Sequence, residues 1–184
     1  MKTKNLILTA ACIAIGVVLP QAFHMIPNAG SIFLPMHIPV LLCGLICSWQ
    51  YGLVCGILTP MLSSLLTGMP PVAYLPAMVV ELAIYGAVAG VFTMIIRSRH
   101  LLGNIYGSLL AAMIAGRIGY GVVNALIFRA GKYSLELWLT ASFVTSLPGI
   151  VVQIIAIPAV CVALHKANIA FPARVREGEI VTGR

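Results

Sequence analysis

The sequence carries very little charge, and almost none of that charge is negative. It has no aspartate, and Asp and Glu together number only 4 among 184 residues. Charged residues make up 8% of the chain, whereas soluble domains average about 25%. Hydrophobic residues make up 61%, and the mean hydropathy is +1.07. This composition excludes an ordinary soluble domain and indicates an integral membrane protein.

The sequence also lacks the common motifs of enzymes. It has no HExxH zinc motif, no GxSxG nucleophile elbow and no GxxxxGKS/T phosphate loop. Its five cysteines lie in apolar segments, without a CxxC pair or a neighbouring cluster of metal ligands. Such cysteines are typical of small packing residues in helices. We therefore predict a protein without enzymatic activity, without a cofactor and without a metal site.

The net charge of +7 reflects membrane topology rather than nucleic-acid binding. A nucleic-acid interface needs a clustered basic face, whereas here Lys and Arg border the apolar stretches. If the N-terminus is cytoplasmic, only Arg129 and Lys132 lie outside, and Arg117 lies within the membrane. By the positive-inside rule, both termini are then expected in the cytoplasm. The cytoplasmic basic residues would be Lys2, Lys4, Arg97, Arg99, Lys166, Arg174, Arg176 and Arg184.

Six apolar stretches predict six membrane-spanning helices. We place them at residues 5–20, 33–49, 51–67, 74–96, 103–129 and 140–166. The second and third are joined so tightly that they should be antiparallel neighbours. The predicted fold is an all-α integral membrane protein, a compact six-helix bundle over residues 1–170 with a polar cytoplasmic tail over residues 171–184. Turn-forming residues in the outer loops 21–32, 68–73 and 130–139 would border a pocket.

Two ionisable residues, Glu81 and Arg117, lie deep inside predicted spans. A charge in the hydrocarbon region costs roughly 2.5–3.5 kcal/mol on insertion scales, so such residues usually face a cavity or a partner. From the predicted bounds, Glu81 lies roughly 10 Å and Arg117 roughly 18 Å below the outer ends of their helices. Arg117 could hold a carboxylate or phosphate of a ligand, or the two residues could form a buried ion pair. The two interpretations are compatible and both stay open here.

Helical spacing groups further candidates with these charges. Tyr120 and Asn124 share one face with Arg117, at i+3 and i+7, and Tyr85 shares a face with Glu81, at i+4.

Two more polar residues lie within the spans. His37, between Pro35 and Pro39, could hydrogen-bond a ligand or a carbonyl freed by these prolines. Gln153 could contact a ligand or join two helices. Together with the residues above, they complete the predicted substrate site, which comprises Arg117, Asn124, Tyr120, Glu81, Tyr85, His37 and Gln153.

Small residues recur at four-residue spacing, a pattern that lets helix backbones approach closely in lipid. Packing within the bundle accounts for most of these pairs. Ala10 and Ala14 on the first helix are the best candidates for a docking face toward another membrane protein. The full set is Ala10/Ala14, Gly52/Gly56, Ala83/Ala87, Gly86/Gly90, Gly103/Gly107 and Ala112/Gly116.

Two long segments, residues 33–47 and 51–71, resemble the substrate-binding (S) component of energy-coupling factor (ECF) vitamin transporters. The Pro35-Met-His-Ile-Pro39 and Leu66-Thr-Gly-Met-Pro-Pro71 motifs carry the resemblance. Residues 81–90 and 115–118 extend it, so that it spans nearly the whole membrane region. The chain is therefore identified as a member of this family.

The resemblance implies six helices, cytoplasmic termini and one small vitamin bound near the outer face of a prokaryotic plasma membrane. It also implies three partners: a transmembrane coupling protein and two cytoplasmic ATPases. The family's coupling contact is an Ala-x-x-x-Ala motif, which Ala10 and Ala14 match. Pantothenate would suit an unpaired Arg117, whereas pyridoxine or a hydroxymethylpyrimidine would suit an Arg117 neutralised by Glu81. An autonomous homo-oligomeric transporter or channel is the alternative function.

Overall fold

The computed structural model describes residues 2–23, 29–96, 100–128, 134–167 and 169. All regular elements in these ranges are helices. In chain order, the α-helices are α1 (Lys2–Ala22), α2 (Ala29–Phe33), α3 (His37–Cys47), α4 (Trp49–Thr67), α5 (Leu75–Ile95), α6 (Leu101–Val123), α7 (Leu135–Leu139) and α8 (Leu147–Lys166). Two short π-helices, Asn124–Phe128 and Thr140–Val144, lie on either side of α7. The predicted tail, residues 171–184, lies outside the described ranges.

Five helices, α1, α4, α5, α6 and α8, are long and apolar enough to cross a membrane. The predicted span at residues 33–49 is shorter than expected, because helix α3 has only 11 residues. At 1.5 Å per residue it is about 16 Å long, roughly half the thickness of the hydrocarbon core. The all-helical membrane architecture is confirmed, whereas six complete crossings and the orientation of the termini stay predictions.

Helices α3, α4 and α5 pack backbone against backbone at three glycines. A Cβ atom on Gly44 or on Gly52 would overlap the carbonyl oxygen of Gly86. Farther along α4, a Cβ on Gly56 would overlap the carbonyl of Leu82. Glycine is required at these positions because any side chain would force the helices apart. The predicted close approach through Gly52/Gly56 and Gly86/Gly90 is therefore present.

Ser48 alone separates α3 from α4, and there the chain reverses. Its φ of 121° lies outside the helical region and ends α3. Gly44 and Gly52, four residues to either side of Ser48, face each other across the hairpin. The tight antiparallel connection predicted between these two segments is confirmed.

The last two predicted spans differ from the expected continuous α-helices. The α-helical hydrogen bonding of α6 ends at Val123 and changes to a π-helix at Asn124. The predicted helix 140–166 begins with a π-helix and becomes α-helical only at Leu147. Pro148, at the start of α8, lacks an amide proton, so it favours a new helix start at this point.

One end of the bundle, which we call the pocket end, brings together four segments. These are the C-terminus of α1, residues 30–37, residues 69–78 and the stretch around Ala141 and Thr145. They include described parts of two of the three predicted outer loops, residues 21–32 and 68–73. Helix α1 is the least buried of the five long helices, and its Ala10 and Ala14 are exposed.

Candidate functional site

A cavity of about 560 Å³ opens at the pocket end. Its volume lies within the range of small-molecule sites, about 300–1,000 Å³. Most of its wall is apolar, and the ionisable residues His37, Glu81 and Arg117 are also part of it. The lining residues are Pro20, Gln21, Phe23, Gly30, Leu34, Pro35, Met36, His37, Met69, Pro70, Pro71, Tyr74, Met78, Glu81, Arg117, Tyr120, Ala141 and Thr145.

Glu81 on α5 and Arg117 on α6 form an ion pair in the cavity wall. Their Oε1 and Nη1 atoms lie 3.2 Å apart, and the side chains are 5% and 7% exposed, respectively. Each residue lies about 9 Å from the pocket end of its α-helix, because α5 begins at Leu75 and α6 ends at Val123. The predicted spans placed the two residues at different depths below their outer ends, yet the side chains meet. Tyr85 packs its ring where Gly116 has no side chain, which lets α5 and α6 approach closely.

His37 is the third ionisable residue of this cluster. Its Nε2 atom lies 3.6 Å from Glu81 Oε1, and its ring packs edge-to-face on Tyr85, with centroids 5.1 Å apart. Leu34 reaches a left-handed φ of 50° just before Pro35, and its carbonyl accepts the amide of His37 at 3.1 Å. This strained turn directs the first residue of α3 to the cavity, and strain of this kind often occurs at functional sites.

Arg117 makes two further contacts, both with the stretch that precedes α8. Its Nη2 donates to the Ser146 hydroxyl at 3.0 Å, and this hydroxyl donates to the carbonyl of Ser142 at 2.6 Å. The indole of Trp138 donates to the backbone carbonyl of Arg117 at 3.0 Å. Both the side chain and the backbone of Arg117 are thus held by one segment.

Several buried polar atoms on the cavity wall have no hydrogen-bond partner among the described residues. They are Gln21 Nε2, both ring nitrogens of His37, Glu81 Oε1 and Arg117 Nε. The Glu81–Arg117 separation is that of an ion pair, but its angles do not satisfy hydrogen-bond geometry. Unpaired buried polar groups are rare in native proteins. Here the atoms are themselves buried, so a molecule in the cavity would bond to them only where side chains turn toward it.

Four of the seven predicted site residues line the cavity: His37, Glu81, Arg117 and Tyr120. The other three, Tyr85, Asn124 and Gln153, are buried and do not line it.

These three residues differ in their surroundings. Tyr85 supports the ring of His37, and Asn124 donates to the carbonyl of Tyr120 at 2.9 Å. Gln153 is fully buried within the bundle. A direct role for any of them in ligand binding stays a prediction.

Several residues that contribute to the candidate site were not predicted from the sequence. Met78 lies three residues before Glu81, so helical spacing could have grouped the two. Ser146 precedes Leu147-Pro148, a signal for a helix start that marks it as a residue at a helix end. Gln21, Phe23 and Tyr74 gave no local signal, because their place on the wall depends on how the segments meet. The same holds for Trp138.

Among the described residues, no group of three or more His, Cys, Asp or Glu could hold a metal ion. The polar residues of the cavity can bind an organic molecule through hydrogen bonds and charge. The apolar part of the wall would cover the rest of its surface.

Comparison with known proteins assigns the chain to a family. Residues 4–161 match the family model described as "ECF transporter, substrate-specific component". No curated protein and no solved structure matches the chain. Members of this family bind a small substrate and work with a membrane coupling protein and ATPases, so they are transporter subunits rather than enzymes. With its long apolar helices, this multi-pass membrane chain belongs to the substrate-specific components of ECF transporters.

Proposed function

We propose that this chain is the binding subunit for ATP-driven uptake of a small vitamin or related micronutrient, and that the cavity at the pocket end is its binding site. The observation that carries the proposal is the Glu81–Arg117 ion pair, which lies buried in the wall of a cavity with unpaired donors and acceptors. A buried pair that served stability alone would be better satisfied by its surroundings. Buried groups left unpaired beside a cavity gain a partner when side chains rearrange around a ligand.

The charge balance of the wall favours a ligand without net charge. Glu81 neutralises Arg117 at 3.2 Å, so an anionic ligand would have to compete with a carboxylate that is already in place. Pyridoxine or a hydroxymethylpyrimidine has both donors and acceptors on a small ring. Such a molecule matches the mixed set presented by Gln21, His37 and Arg117. Pantothenate, which carries a carboxylate, fits this arrangement less well.

The remaining wall suits a flat ring. Phe23, Tyr74 and Tyr120 contribute aromatic surface, and aromatic rings stack on one another in offset or edge-to-face arrangements. Met36 and Met78 add flexible apolar side chains that adapt to the outline of a ligand. Recognition would then combine a hydrogen-bonding side formed by the ionisable cluster with an apolar side formed by these residues.

The proposed orientation places the pocket end outside the cell and both termini in the cytoplasm. It is supported by the distribution of Lys and Arg in the sequence. In this orientation the cavity opens toward the medium of a prokaryotic cell. The partners would be a transmembrane coupling protein, docking on the exposed Ala10 and Ala14, and two cytoplasmic ATP-binding subunits. Small residues there would allow close helix contact.

A thermal-shift screen of the purified protein against B vitamins and their precursors tests this function. A ligand that binds the folded state raises the melting temperature. We expect an uncharged compound to give the largest shift, and Arg117→Ala to reduce that shift. If none of the compounds changes the melting temperature, the proposed function is wrong. Substrate accumulation by the purified chain alone in liposomes, without ATPases, would instead support an autonomous transporter.

A further inference from the structure

The indole of Trp138 makes a hydrogen bond with helix α6. Its Nε1 atom donates to the backbone carbonyl of Arg117 at 3.0 Å. Gly121, one turn farther along α6, provides the space, because a Cβ atom there would overlap the indole. A tryptophan buried in an apolar environment usually finds such a partner for its N–H. That partner belongs to Arg117, whose side chain lines the cavity.

The opposite end of Arg117 is held by the same stretch of chain. The guanidinium donates to Ser146 at 3.0 Å, and Ser146 donates to Ser142 at 2.6 Å. Phe143, the residue after Ser142, packs edge-to-face on Trp138, with ring centroids 5.6 Å apart. The stretch therefore contacts Arg117 at its backbone and at its guanidinium.

This stretch also forms part of the cavity wall, through Ala141 and Thr145. Its residues 140–144 form a π-helix. Such helices are rare in proteins, and those that occur are often found at functional sites. A ligand in the cavity would touch the guanidinium and this wall at the same time. Any shift of one would be transmitted to the other through the two hydrogen bonds.

We propose that Trp138 and Ser146 are positioning residues that fix the position and orientation of the Arg117 guanidinium relative to Glu81 and the ligand. We call Trp138, Ser142 and Ser146 the Arg117 clamp. The clamp gives the site a guanidinium that is oriented before the ligand arrives, which increases affinity because less freedom is lost on binding. The part that concerns ligand affinity rests on the proposed function, whereas the coupling between Ser146 and Trp138 does not.

The first experiment needs no ligand. The chain has 2 tryptophans, so Trp49→Phe leaves Trp138 as the single indole, whose N–H exchange NMR can follow after isotope labelling. We expect Ser146→Ala to accelerate this exchange, because the guanidinium loses its anchor and the indole–carbonyl bond loosens. Leu147→Ala, which truncates the exposed neighbouring residue, is the matched control and should leave exchange unchanged. Equal exchange in all three proteins would overturn the clamp.

The second experiment measures affinity, with pyridoxine as the uncharged probe. Hydrogen bonds to charged groups are strong enough that Ser146→Ala should weaken binding by about tenfold. Trp138→Phe, which keeps an aromatic ring beside Phe143, should also weaken binding. Ser146→Thr, which retains the hydroxyl, should restore affinity. Melting temperatures of the ligand-free variants separate positioning from general stability.

The outcomes of the two experiments are distinguishable. Unchanged affinity in both Ser146→Ala and Trp138→Phe would overturn the positioning role. An affinity loss that is fully explained by a lower melting temperature of the ligand-free variant would overturn it as well. If the unaltered protein binds no compound of the vitamin panel, the proposed function fails. The exchange measurement then still decides whether the clamp exists.

Discussion

The Glu81 carboxylate lies 3.2 Å from the Arg117 guanidinium, and both side chains are almost fully buried in the wall of the cavity. His37 approaches the same carboxylate oxygen at 3.6 Å. A buried charge without its partner costs several kcal/mol, so each member of this pair depends on the other. The pair joins α5 to α6, and in the proposed function it also takes part in ligand binding.

Arg117→Ala is expected to weaken ligand binding at least about tenfold, equivalent to ~1.4 kcal/mol. The variant also leaves the Glu81 carboxylate buried without its partner, which lowers stability by about 3–5 kcal/mol. The double variant Glu81→Gln/Arg117→Gln removes both charges and should recover most of the stability but not the binding. Calorimetric titration and thermal unfolding of both variants check this. Wild-type affinity in the double variant would show that the pair is purely structural.

Glu81→Gln is expected to change which ligands are preferred. Without the carboxylate, the charge of Arg117 is no longer balanced, so the affinity for pantothenate should rise relative to that for pyridoxine. Competition between the two compounds, measured with the unaltered protein and the variant, gives the ratio directly. A ratio that stays the same would mean that Glu81 does not control the charge of the site.

Gly86→Ala is expected to disrupt the packing of α5 on α4. The added Cβ would overlap the backbone of Gly52, and overpacking of this kind typically costs about 1–3 kcal/mol. Gly30→Ala is the matched control, because nothing lies within 4 Å of a Cβ at that position. Thermal unfolding in detergent should show a lower melting temperature for Gly86→Ala only. Equal melting temperatures would contradict the close backbone contact.

Bulky residues at Ala10 and Ala14 are expected to block uptake without affecting binding. Both alanines are exposed on α1, so leucine at both positions fits the isolated chain but prevents close approach of another helix. Uptake assays in cells that express the coupling protein and ATPases should fall to background, while calorimetry shows unchanged affinity. Ile15→Phe, at another exposed position of α1, controls for bulk alone. Normal uptake by the double variant would rule out this docking face.

Much of the fold follows from local sequence properties. Long apolar stretches predict the five long helices, and glycines at four-residue spacing predict the close approach of α4 and α5. The two charges in the spans also indicated where the candidate site lies, because a charge in hydrocarbon requires a partner. These features depend on composition and spacing, which are properties of short segments.

The ends of the helices were harder to predict from the sequence. The π-helices at Asn124–Phe128 and Thr140–Val144 occur in apolar stretches that are compatible with a continuous α-helix. Trp138 and Ser146 lie on either side of the second π-helix, and both contact Arg117, which is distant in the sequence. Helical spacing also grouped Asn124 with Arg117, although the Asn124 side chain turns back and donates to the carbonyl of Tyr120.

Composition determined that this chain is helical and lies in a membrane. The positions of Glu81 and Arg117 within apolar stretches determined that both require polar partners. Only the tertiary structure decided that these two residues pair, that His37 joins them, and that Gln153 and Tyr85 lie away from the cavity surface. The physical reason is that membrane helices are apolar on every side, so hydrophobic periodicity does not identify the inward face. That face was selected by backbone contacts between glycines and by the partners that the buried charges found.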